Sequence, residues 1–285
     1  MPGDRAARRM DAPALLRLWH LTSLDAPSVA VAWALAFAWA GGLVLPGWVP
    51  VMLALGTWAV YIGDRLLDAR AALANGAEHR LRERHFFHWR HRRVMAPLAG
   101  LAGAAAAGMI VGLMPMAIRE RNAVLGAAAL AYFSGVHAPG LRWLRLLPKE
   151  LLVGALFTAG CALPTLTRMR LAHVPMAAMG ALLLVAGLYA ALAWLNCHAI
   201  ERWESRSVQR GQGVVMAGWA LASVGLAAAA VMRVAEPRLA ELMACAAGSG
   251  LLLCGLDRVR MRLSPVALRA AADLVLLTPL VCLLR

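Results

Sequence analysis

Tyr61-Ile62-Gly63-Asp64-Arg65-Leu66-Leu67-Asp68-Ala69-Arg70 closes an apolar run that begins at Val51. A run of that length and character reads as a membrane helix, and the charges that end it mark the polar boundary. Asp64 and Asp68 are four apart, so a helix places them on one face, roughly 6 Å apart along the axis. Two carboxylates at the end of a membrane helix are costly to hold there and call for a positive partner. Arg65 and Arg70 can supply it at the water interface; a divalent cation is the other candidate.

The rest of the chain has the same character. Its 285 residues are 61% hydrophobic, with a mean hydropathy of +0.66. That exceeds the roughly one-half apolar content of soluble domains. Nearly uncharged stretches recur throughout, so the expected fold is all-α, a polytopic membrane protein forming a single domain. The net charge is +14. The basic residues lie in short loops between apolar runs, where membrane topology explains them better than nucleic acid does. The five cysteines form no CxxC pair, so neither a disulfide framework nor a zinc site is expected. The polar, basic stretch 1–24 reads as a cytoplasmic N-terminal segment and not as a secretory signal.

Nine spans can be drawn, at about 26–45, 48–68, 94–114, 122–138, 148–166, 174–200, 213–233, 237–256 and 265–284. Gly108 and Gly112 form a small-xxx-small pair suited to close helix packing in lipid. Pro164 and Pro279 fall inside spans and read as kinks. With the N-terminus inside, basic residues are about three times as frequent in inside segments as in outside ones. Outside segments hold Arg119, Arg121, Arg168, Arg170, Arg233, Arg238 and Arg285. The expected location is a bacterial inner (cytoplasmic) membrane, with the N-terminus cytoplasmic. The longest inside loop, 69–93, carries His85, His88 and His91 among arginines, with Phe86, Phe87 and Trp89 as interfacial anchors. It reads as a basic amphipathic helix lying on lipid headgroups.

A second acidic group closes the sixth span: Asn196-Cys197-His198-Ala199-Ile200-Glu201-Arg202-Trp203-Glu204. Glu201 and Glu204 share a helix face, with Asn196 about one and a half turns earlier. Spans two and six run in the same direction, so both acidic groups reach the inner face. Near the end of the chain, Arg269 and Asp273 stand four apart and read as an intramembrane pair. Asp257 reads as a cap or a partner of Arg258.

In helix count and in the placement of its two acidic clusters, the chain resembles the UbiA-type intramembrane prenyltransferases over nearly its whole length. Asp64-xxx-Asp68 matches part of that family's first Asp-rich motif; Asn196, Glu201 and Glu204 correspond loosely to the second. The resemblance implies nine helices around a central cavity. It further implies Mg²⁺ held by Asp64, Asp68, Glu201 and Glu204, with Asn196 beside them. The expected substrates are a prenyl diphosphate and a lipophilic or aromatic acceptor met in the lipid bilayer, with no nucleic acid. Lys149, Arg65 and Arg202 are the candidate diphosphate partners, since Arg offers a bidentate fork and Lys a point charge. The chemistry is coherent, because a trianionic head needs cations and its apolar tail needs a lipid-like tunnel.

Two other readings use the same residues. A non-catalytic lipid-binding or transporter protein is one. Transporters place charged groups near mid-membrane, whereas these acidic groups gather at one face. A histidine-rich membrane metal oxygenase is the other. The chain has 8 His in all and no adjacent His pair, and arginines flank His85, His88 and His91, so no structural metal is expected there.

Overall fold

The structure, a computed structural model, describes residues 10–137, 149–204 and 212–285. Arg5, Arg8, Arg9, Arg142, Arg145, Arg206 and Arg210 of the inside segments lie outside the described residues, as do the side chains of His137 and Lys149. Twelve α-helices are described: α1 (Ala14–Leu21), α2 (Asp25–Ala40), α3 (Trp48–Ala74), α4 (Glu83–Arg90), α5 (Arg92–Leu113), α6 (Met116–His137), α7 (Lys149–Leu171), α8 (Met176–Glu204), α9 (Gln212–Met232), α10 (Pro237–Val259), α11 (Pro265–Val275) and α12 (Leu280–Leu283). Among the described residues the only β pairing is an isolated bridge between Met10 and Leu263, which ties the N-terminal segment to the start of α11. The fold is therefore all-α.

Five helices, α5, α7, α8, α9 and α10, are each long and apolar enough to cross a membrane. The pair α1–α2, bent by 87°, adds a sixth if it counts as one broken span. α3 and α6 have the length but are more polar, and α11 has only 11 residues. Large apolar side chains point outward from the flanking helices, such as Leu101 and Val111 on α5 and Val224 and Val231 on α9. Such exposure is unfavourable in water and neutral in lipid.

Most of the large, fully buried side chains belong to α2, α8 and α10. Trp33 and Tyr189 are fully buried and stack with ring centroids 3.8 Å apart; Phe37 meets Tyr189 edge-on at 6.0 Å. Small residues set the helix spacing. A Cβ at Gly218 of α9 would lie 2.9 Å from the carbonyl oxygen of Gly250 on α10, and one at Gly225 would lie 3.0 Å from the Ala247 methyl. Between α3 and α5, Gly56 faces Ala106 and Gly103 faces Ala59 with room for a methyl, since a Cβ there would lie 3.8 and 3.6 Å from those side chains. Gly108 and Gly112 are exposed, and among the described residues nothing lies within 4 Å of where their Cβ atoms would stand, so that pair makes no small-xxx-small contact there. Two small residues permit an approach; which face turns inward is decided by the rest of the helix.

The last span is not one kinked helix. α11 starts cleanly: Ser264 caps it by accepting the Ala267 N–H at 3.2 Å, and Pro265 sits at the first position. It ends at Val275, and turns carry the chain to Pro279 and α12. The freed carbonyls are satisfied from neighbouring helices. Ser249 Oγ donates to Val275 O at 2.8 Å, and Trp33 Nε1 donates to Leu276 O at 2.8 Å. Such partners leave neither carbonyl orphaned where the helix breaks.

Candidate functional site

The polar groups gather at one end of the bundle. The chain reaches that end first through the α1–α2 bend, at Thr22-Ser23-Leu24. Ser23 sits in the left-handed region at φ 59°, a strained conformation for a serine. Trp58 Nε1 of α3 donates to Thr22 O at 2.9 Å, and Trp19 Nε1 donates to Ser28 Oγ at 3.1 Å. The bend turns two residues five apart toward each other: His20 Nδ1 lies 2.7 Å from Asp25 Oδ2. The second oxygen of Asp25 accepts the Ala26 N–H at 2.9 Å. From α11, Asp273 brings Oδ2 to 3.7 Å from the same His20 nitrogen, while Asn196 Nδ2 of α8 donates to Asp273 Oδ1 at 3.2 Å.

Beside this group lies a cage of arginines. Glu204, the last residue of α8, pairs with Arg269 of α11; Arg84 of α4 reaches it at 3.4 Å and Arg82 at 3.3 Å. Arg65 of α3 is 5% exposed; it donates to its own helix at Tyr61 O at 3.2 Å and lies over the Tyr61 ring. The Nε atoms of both Arg65 and Arg84 are buried without a hydrogen-bond partner. Burial, with Arg269 and Arg65 nearby, pulls the Arg84 pKa down to about 9.

α4 roofs the cluster. Its inner face carries Arg84, His85 and His88, while Phe86 stays exposed. The segment 69–93 is therefore not a helix lying free on headgroups. α3 runs on to Ala74, and α4 docks onto the polar end of the bundle by its histidine face. The hydrogen bonds fix both tautomers. His88 Nδ1–H donates to Arg84 O at 2.8 Å, so Nε2 accepts the Ser23 hydroxyl at 3.3 Å. His85 Nδ1 accepts the Arg82 N–H at 3.0 Å, which leaves Nε2–H facing Asp68 Oδ2 at 4.0 Å.

Burial, with Arg84, Arg65 and Arg269 adding to it, depresses His85 to about 3; burial depresses His88 to about 4. Both are then neutral in the folded state at any pH above those values, while the unfolded chain takes up protons near 6.5. Between about 6.5 and 4 the unfolded state binds more protons, so stability falls as pH falls through that window. α4 is expected to undock on acidification. Hydrogen exchange of residues 83–90, corrected for intrinsic rates, should lose protection between pH 7.5 and pH 4.5; equal protection at both would show that these imidazoles do not hold the roof.

The residues singled out in the sequence fare differently. Asp64, Arg65, Asp68, Asn196 and Glu204 are at the same end of the bundle, and Asp68 and Glu204 meet consecutive residues of α4, His85 and Arg84. Asp64 and Asp68 are half-buried and Glu201 is exposed. Arg202 lies against the start of α9, its Nη1 3.3 Å from where a Gly213 Cβ would stand. Lys149 opens α7. Among the described residues, the one group of three donor side chains within metal-binding reach is His20, Asp25 and Asp273, and not the Asp64, Asp68, Glu201, Glu204 set.

Two expected pairs are exchanged. Arg269 goes to Glu204 and not to Asp273, and Asp257 binds Arg260 at 2.7 Å and the Trp203 Nε1–H at 2.7 Å in place of Arg258. Sequence reasoning missed His20 and Asp25. The available signal was an acidic residue, Asp25, at the very start of an apolar span, with a histidine one short bend earlier. Comparison of the chain with family models, curated proteins and solved structures finds no match.

Proposed function

We propose that the chain is a divergent UbiA-type prenyltransferase, crossing the inner membrane nine times with its N-terminus cytoplasmic. The crossings are α2, α3, α5 to α10, and the α11–α12 pair. The observation that carries the functional reading is the arginine cluster. Arg65, Arg84 and Arg269 converge under a roof helix, at the polar end of an apolar bundle, with two Nε atoms unpartnered. Guanidiniums gathered there, three of them (Arg82, Arg84 and Arg269) on Glu204 and Arg65 beside Arg84, suit a multiply charged phosphate head, whose oxygens accept Arg forks bidentately. A diphosphate docked there keeps its apolar tail among the helices.

In this reading Arg65 and Arg84 bind diphosphate oxygens through the nitrogens that now lack acceptors. Glu204 orients Arg84 and Arg269, and α4 excludes water. The prenyl C–O bond breaks, the electron pair leaves with the diphosphate, the allylic carbon bonds to the acceptor, and the proton the acceptor loses goes to the released diphosphate or water. Asp64 and Asp68, half-buried on adjacent turns, fit the part of Mg²⁺ ligands. Glu204 does not, since three guanidiniums already occupy its carboxylate. Mg²⁺, when bound, supplies further neutralisation of the leaving group.

The test is binding of a labelled prenyl diphosphate to purified protein, with Mg²⁺ or with chelator. Asp68→Asn is expected to weaken Mg²⁺-dependent binding by roughly 1–3 kcal/mol, and Arg65→Gln to weaken it by a similar amount in either buffer. Wild-type binding that ignores Mg²⁺, together with full affinity in Arg65→Gln, would sink the reading. Tight binding with no diphosphate release in native lipid extract would move the protein to the lipid-binding class.

A further inference from the structure

We propose that His20, Asp25 and Asp273 form a site for one divalent first-row transition ion, Zn²⁺ foremost, distinct from Asp64 and Asp68. The three donors come from α1, the start of α2, and α11, and their ligand atoms lie within 4.8 Å of one another. A tetrahedral ion with His nitrogen and carboxylate oxygen at about 2.0–2.2 Å spaces its donors about 3.3–3.5 Å apart. The distances from His20 Nδ1, 2.7 Å to Asp25 Oδ2 and 3.7 Å to Asp273 Oδ2, bracket that spacing. An ion entering between them needs only a small opening on one side and a small closing on the other.

Asn196 makes an independent case. It is 5% exposed, and its Nδ2 bonds Asp273 Oδ1, so its amide lies against the group. Its Oδ1 is buried with no hydrogen-bond partner. An orphaned buried amide oxygen, on a residue already bonded to Asp273, costs stability as it stands and is the candidate fourth donor.

The charges agree. A neutral imidazole and two carboxylates carry −2, which a divalent ion cancels. The imidazole argues for zinc or a similar borderline ion over Mg²⁺, which prefers oxygen and water. Arg65 acts electrostatically on Asp25, and Arg269 on both His20 and Asp273. Glu204 draws Arg84 and Arg269 toward itself and away from the three donors. On binding, the metal takes His20 Nδ1 and the ring proton moves to Nε2. The site is then held by both ends of the chain: the α1–α2 bend and α11 cannot separate without releasing it.

The experiment uses Zn²⁺ alone, without any lipid substrate, so its outcome does not depend on the prenyltransferase reading. Metal-stripped full-length protein is titrated in a competing chelator, and unfolding is followed with and without Zn²⁺. One equivalent should bind and raise the unfolding temperature. Asp273→Asn and His20→Gln should each weaken binding at least tenfold and abolish the thermal shift, and Asp68→Asn should leave both unchanged. Should His20→Gln fail to fold, Asp273→Asn, which keeps the side-chain shape, decides alone. The proposal is overturned if wild type binds no Zn²⁺, if Asp273→Asn binds like wild type, or if the ion is lost in Asp68→Asn.

Discussion

Glu204→Gln is expected to destabilise the protein by roughly 1–3 kcal/mol, the cost of losing the charge in a part-buried set of charge-assisted hydrogen bonds. Its carboxylate is 23% exposed, and it answers Arg269, Arg84 and Arg82 together; the Arg84 and Arg269 side chains are themselves 12% and 19% exposed. Removing the one negative charge leaves three cations crowded at the bundle end, with Arg65 close by. Roof helix α4, which contributes Arg84, should loosen first. Glu204→Gln combined with Arg269→Gln should recover part of the loss, because the double change removes a cation along with its partner. Denaturant or thermal unfolding of the two single variants and the double variant measures the coupling. A Glu204→Gln protein as stable as wild type, with only its metal affinity reduced, would instead assign Glu204 to an ion.

Trp33→Ala is expected to cost about 3–5 kcal/mol, as for a large aromatic removed from a packed core. Trp33 is fully buried, stacks on Tyr189 and tilts against Phe37. It also donates to Leu276 O, in the break between α11 and α12, where the carbonyl has lost its helical partner. The loss thus joins a cavity to an unsatisfied backbone group. Trp33→Phe keeps one ring in the stack and loses the donor with some ring volume, so it should cost less, about 1–3 kcal/mol. If the two variants are equally stable, the ring packing is not what holds the centre.

Much of this protein can be read along the chain. Apolar run length and charge placement give an all-helical membrane protein, and the helix starts at Pro237 and Pro265 follow from local chemistry alone. The gathering of Asp64, Asp68, Asn196 and Glu204 at one end is also legible, because span count sets direction. These are properties of single helices or of their order. What the sequence could not specify is which charge meets which. Arg269 stands one turn from Asp273 yet pairs with Glu204, because the α8 and α11 ends face each other across the bundle. His20 finds Asp25 only because Ser23 takes a left-handed turn, and it nears Asp273 only because α11 packs beside α1. Gly108 and Gly112 carry the spacing of a packing motif but are exposed, while Ala102 and Ala106 take the buried face. Periodicity and polarity act within a helix and are written there. Ion pairing at a buried site depends on distances between helices, and those are set by how all the side chains fill the space at once.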